Sequence, residues 1–100
     1  MYRIEYASKS VVNTLKNLRA YERKQILNAI DKQLQHEPTV QTKHRKPIVG
    51  LTPQWDYEEP IWELSIGQYR VFYDVDEEAA IVKVRAIRHK PPHKTTEEIL

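Results

Sequence analysis

IWELSIGQYRVFYDV, residues 61–75, reads as two strands joined at Ile66-Gly67-Gln68, and a third strand is predicted over Ala80 to Arg88. Successive side chains of a strand leave on opposite faces. Trp62, Leu64 and Ile66 therefore share one side, with Glu63 and Ser65 on the other. In the next strand Val71, Tyr73 and Val75 oppose Arg70, Phe72 and Asp74. Carried into the third strand, the alternation sets Val82, Val84 and Ala86 against Lys83, Arg85, Ile87 and His89. The pattern predicts a hairpin sheet with one packed face and one polar, cationic face, and any legible function belongs to the second.

Upstream of these strands, Tyr2, Ile4 and Tyr6 alternate with Arg3 and Glu5, the pattern of a short half-buried strand. Ser8 or Ser10 can cap a following helix, because a serine oxygen accepts from the free amides of a first turn. Val11, Leu15 and Leu18 recur at helical spacing to about Arg19, and Ile26, Leu27, Ile30 and Leu34 repeat it over Tyr21 to Gln35. The short connection makes these helices antiparallel neighbours, and Glu37-Pro38 ends the second one. Thr39 to Thr52 is basic and irregular, with a short strand at Pro47-Ile48-Val49, and an acidic, aromatic loop runs from Gln54 to Pro60. Its Trp55 and Tyr57 suit a lid or a partner anchor. Pro91-Pro92 stops the last strand, and Thr95 to Glu98 has the spacing of a capping box on a one-turn terminal helix. The predicted class is α+β, β-α-α-β-β-β(-β), an antiparallel sheet with two helices packed on one face.

One hundred residues, 40% of them apolar, suffice for a single domain over residues 1–100 and for one core. The chain has no cysteine, which excludes disulfides, thiol nucleophiles and cysteine-ligated metals. MYRIEYASKS lacks the apolar core of a signal peptide and no run approaches a membrane span, so a cytoplasmic protein is expected. Net charge is only +2, but the charges cluster. Lys43, Arg45 and Lys46 are basic, as are Lys83, Arg85, Arg88, Lys90 and Lys94, whereas Asp76, Glu77 and Glu78 form an acidic turn. His44, His89 and His93 have no recognisable ligand spacing, so neither a metal nor another cofactor is expected.

The order of elements, the phrase WELSIGQYRVFYDVDEE and the closing VRAIRHK resemble the RelE/ParE superfamily of bacterial type II toxin-antitoxin toxins. The resemblance spans nearly the whole chain. It implies a small antitoxin partner that neutralises the toxin, and one of two activities. RelE-like members cleave mRNA in the ribosomal A site, whereas ParE-like members poison DNA gyrase. The arginine of the Tyr-Arg-Val run, which contacts the scissile phosphate in nuclease members, falls on Arg70. The proposed general acid of YoeB-like members falls on His89. Two lysines that RelE carries in the preceding strand fall on Ile61 and Glu63, so that pair is absent. A tyrosine near the end of several members is also missing, since His93, Lys94, Thr95 and Thr96 occupy its region.

Attack of a ribose 2′-hydroxyl on the adjacent phosphate needs a proton acceptor, a cation for the phosphorane and an acid for the leaving oxygen, and it ends in a 2′,3′-cyclic phosphate. Glu63, Arg70 and His89 are the candidates for these roles. Arginine offers a permanently charged fork matched to phosphate oxygens, and histidine titrates near working pH. Lys43, Arg45, Lys46, Arg85 and Lys90 are candidates for gripping RNA or the ribosome, with Phe72 or Tyr73 for base stacking. Each has a plainer alternative. Glu63 suits a cross-strand ion pair, His89 an exposed strand end, and the Lys43 to Lys46 run a solvated loop. The expected activity is a metal-independent, ribosome-dependent mRNA endonuclease. Gyrase inhibition and a non-toxic binding module of the same fold are the alternatives.

Overall fold

A computed structural model describes residues 1–100 as β1 (Arg3–Tyr6), α1 (Lys9–Asn17), α2 (Ala20–Leu34), β2 (Arg45–Ile48), β3 (Ile61–Ile66), β4 (Tyr69–Asp76), β5 (Ile81–His89) and α3 (Thr96–Ile99). Ser8 is the residue that caps α1, its Oγ accepting from the Val11 amide at 3.3 Å. The C-terminal end of α1 is satisfied from outside the helix. Arg23 of α2 donates from Nε to the Leu15 carbonyl at 2.9 Å and from Nη2 to that of Leu18 at 3.0 Å. Free carbonyls at a helix end favour such a cation, so one side chain both caps α1 and fixes the hairpin.

The sheet runs β1-β5-β4-β3-β2. Its hairpins are antiparallel as expected, but β1 lies parallel to β5, which makes the sheet mixed. The two helices between β1 and the hairpins form a crossover that returns the chain to the sheet, and such a connection permits a parallel neighbour where a tight turn would not. The basic loop supplies a strand at Arg45–Ile48, slightly earlier than its apolar residues suggest. Ile66 pairs with Tyr69 across the two-residue turn Gly67-Gln68. Gly67 has φ +56° there, as the first turn position of a tight hairpin requires.

Val11 and Leu15 of α1 and Ile26, Ile30 and Leu34 of α2 meet Trp62, Leu64, Ile66, Val71, Tyr73, Val82, Val84 and Ile87 in one apolar cluster. Apart from Ile87, which stands here in place of Ala86, this is the packed face predicted from the alternation, with both helices on it. No helix is long and apolar enough to cross a membrane.

Candidate functional site

The alternation of β5 breaks at one residue. Phe72 pairs with Ala86 but Tyr73 pairs with Val84, so Arg85 is an extra residue without a partner, a β-bulge. Beyond it the parity of β5 is reversed. Val82 and Val84 face the helices, Ala86 faces away from them, and Ile87 faces them again. Arg88 therefore joins Arg70 on the face away from the helices, and His89, opposite Tyr69, leaves on the helix side. The expectation that Arg70 and His89 share a face is corrected here, and the cause is the inserted Arg85.

His89 sits at the rim of the helix side. Its ring lies edge-on to Tyr69, with centroids 5.3 Å apart, and Nε2 is 3.1 Å from the Gln68 Oε1. The Tyr69 hydroxyl donates to Glu22 of α2 at 2.7 Å, and this bond to a carboxylate raises the phenol above its ordinary pKa. Arg70, on the other face, curls toward the hairpin turn. Its Nη1 donates to the carbonyls of Gly67 and Tyr69, both at 2.8 Å.

Glu63 does share the Arg70 face, but as a buried group. It is 1% exposed, accepts from the Thr96 hydroxyl at 2.8 Å and lies 3.6 Å from the Lys46 Nζ. Both oxygens of this enclosed carboxylate are thus engaged by the chain itself. The three groups expected to act together are thus not assembled. Arg70 and Glu63 stand in successive rows of one face, and His89 stands behind the sheet.

The face is also less open than its charges suggested. Phe72 is fully buried, with Trp55 against it at a centroid distance of 5.9 Å, and Tyr57 meets Trp55 edge-on at 6.1 Å. The Glu58 amide donates to Asp74 at 2.8 Å, which fastens the same loop. Trp55 therefore acts as a lid. Further along, α3 lies over the sheet through the Thr96 to Glu63 bond and through Arg88, whose Nε donates to the Ile99 carbonyl at 3.1 Å. Its Thr95 capping box is formed as predicted.

The other basic candidates divide. Arg45 is buried and turned toward the helices, where it donates from Nη1 to the Gln33 carbonyl and from Nε to that of Val40 at 3.1 Å. It closes the end of α2. Arg85, the bulge residue, is committed to Asp74 by bonds of 2.8 and 3.3 Å. Lys43 is exposed and unpaired, Lys46 is exposed while pairing with Glu63, and Lys90 is half-buried. The residue that sequence reasoning overlooked is Arg88. It lies directly opposite Arg70, whose other neighbour is Ser65. Neither arginine has a carboxylate partner. The consecutive apolar pair Ala86-Ile87, which strict alternation does not permit, is a sequence signal of the shift that put Arg88 there.

Two like charges directly opposite each other in a ladder destabilise a sheet unless an anion or a distant dipole relieves them. The Ser65, Arg70 and Arg88 row, with Lys46 and Lys90 beside it, can bind phosphate or carboxylate.

Comparison with known proteins agrees with this fold. No curated protein matches the chain in sequence. Among solved structures, the archaeal RelE-RelB complex from Pyrococcus horikoshii is similar, with 25% identity, a TM-score of 0.67, and coverage of 94% of this chain and 98% of that one. The toxin-antitoxin complex RelBE2 from Mycobacterium tuberculosis has the same fold at 19% identity and a TM-score of 0.67, with coverage of 89% and 98%. Residues 6–90 match the family described as the ParE toxin of the type II toxin-antitoxin system parDE, and to that toxin family the chain belongs.

Proposed function

We propose that this toxin acts by binding a protein target, DNA gyrase, in the ParE manner, and that an antitoxin protein holds it inactive. The observation that carries the reading is the separation of Arg70 from His89 on opposite faces, with Glu63 sealed under α3. No nucleophile, acid or base is gathered at a cleft, whereas a cationic row beside an aromatic lid suits a macromolecular contact. An antitoxin partner is supported by the two solved complexes of the same fold, each a toxin with its antitoxin.

A second reading rests on the Arg70 and Arg88 pair. Two guanidiniums opposed on one face also suit an RNA backbone, and an mRNA nuclease that uses them on the ribosome would draw its acid and base from elsewhere. One pair of assays separates the two. Purified toxin is added to gyrase with plasmid DNA and, separately, to translating ribosomes with a defined mRNA. The expected result is gyrase-bound cleaved DNA and intact mRNA. Cut mRNA with normal supercoiling would replace the first reading by the second.

A further inference from the structure

The two ends of β4 carry opposite charge. Arg70 stands at the Gly67 end, whereas Asp76, Glu77 and Glu78 follow at the other, and the loop that enters β3 brings Glu58 and Glu59 beside them. None of these five carboxylates has an ion-pair partner. Asp76 accepts from the Ala79 amide at 3.1 Å, and Glu77 accepts from the Tyr2 hydroxyl at 2.5 Å and from that of Thr39 at 3.4 Å. Glu58, Glu59 and Glu78 are exposed. All five border a cleft of about 440 Å³ in which Lys83 is the single cation.

This acidic cleft adjoins apolar ground on two sides. It shares Val75 and Glu77 with a cavity of about 260 Å³ that Thr39, Pro60 and Trp62 complete. It shares Glu59 with a groove along Ile48, Val49, Leu51 and Pro60, where Val49 is 85% exposed. Trp62 is only 7% exposed, and its indole Nε1 has no hydrogen-bond partner. A buried N–H stays uncompensated until an acceptor reaches it.

We infer that this end of the molecule is a docking site for an extended basic segment of a partner protein, one that carries a lysine or arginine between apolar residues. The cationic head meets Glu59, Glu77 and Glu78, and its methylene stem runs over Pro60 and Val75. A neighbouring apolar side chain packs on Ile48 and Val49, and a backbone carbonyl of the segment accepts from the Trp62 Nε1. Long basic side chains divide themselves in this way, stem on apolar surface and head among polar groups. The unpaired carboxylates attract such a segment and repel both an acidic one and a nucleic-acid backbone. The site lies a strand's length from Arg70 and Arg88, so it stands apart from the choice between gyrase and ribosome.

The test follows the backbone and indole N–H signals of the isotope-labelled full chain by NMR while a short capped peptide of lysines and valines is added. The Trp62 indole signal and the amides of Val75 and Glu77 shift and saturate, while the Trp55 indole and the amides of Arg70 and Arg88 stay in place. A peptide with serines in place of the valines binds at least about tenfold more weakly, and one with glutamates in place of the lysines does not bind. The exposed double variant Glu59→Lys, Glu78→Lys loses at least about tenfold in affinity for the lysine-valine peptide. Its unaltered β3 and β5 amide shifts show that it is folded. A Trp62 signal that ignores the peptide, equal binding of the glutamate or serine peptide, or full affinity in the double variant overturns the assignment. So do the same shifts produced by magnesium chloride at matched ionic strength, which would mean an inorganic cation site. Shifts that grow with protein concentration alone would put the basic end of a second copy there and overturn it too.

Discussion

Arg70 and His89 stand one rung apart in the ladder of β4 and β5, Arg70 opposite Arg88 and His89 opposite Tyr69, and so leave the sheet on opposite faces. Their substitutions therefore have independent effects. Arg70→Ala removes two hydrogen bonds to turn carbonyls, which costs about 1 kcal/mol of stability, and weakens target binding by at least about tenfold. His89→Ala, at an exposed rim, shifts stability by no more than about 0.5 kcal/mol and leaves growth arrest in place. Thermal melts and induced-expression growth curves on both variants check this. Equal loss of arrest in the two would mean that they serve one site.

Glu63→Gln is the corresponding test of the buried carboxylate. The amide keeps the volume and can still accept from Thr96, but it gives up the charge that faces Lys46. Lys46 is largely exposed and solvates readily, so the loss is on the order of 1–2 kcal/mol in a denaturant titration. Toxic activity is expected to persist, because Glu63 holds α3 to the sheet. A folded Glu63→Gln protein without activity would restore Glu63 to the reacting groups.

The β4 to β5 turn holds a position that its sequence does not favour. Ala80 has φ +54°, a left-handed conformation in which a Cβ meets backbone atoms at a cost of about 1 kcal/mol. Ala80→Gly removes that conflict while giving the unfolded chain more freedom. The net expectation is a gain of about 0.5 kcal/mol, read as a higher denaturant midpoint at unchanged slope. Ala80→Val should lose stability by the same measurement.

The fold was written in local patterns, and the site depended on one that is not local. Strand alternation assigned Trp62, Leu64, Val71 and Tyr73 to the core correctly, and Ser8, Pro38 and Thr95 marked element ends through the chemistry of caps and of proline. A bulge costs one residue and leaves little trace in composition, yet it moved Arg88 and His89 to each other's expected faces. Arg45 was misread for a related reason. A guanidinium in a basic loop looks solvated until the end of α2, far away in sequence, brings carbonyls to it. Phe72 on the nominally polar face was the clue that Trp55 and its loop would cover that face.

Tyr6 sets an alkaline limit on stability. Burial, with a smaller contribution from the Asp31 carboxylate, raises its phenol from 10.0 to about 12. The unfolded chain thus releases this proton earlier than the folded one. Below pH 10 both states keep it and Tyr6 adds no pH dependence, but between pH 10 and 12 the unfolded state binds fewer protons and stability falls as pH rises. Tyr2, Tyr69 and Tyr73 are raised too, so the wild-type decline is steep and their shares persist in any Tyr6 variant. Tyr6→Phe keeps the ring against the core and removes only its own share, which makes the decline shallower across that window. Denaturant titrations at stepped alkaline pH measure the slope directly, and a variant whose slope matches the wild type would show that the Tyr6 hydroxyl is already solvated in the folded protein.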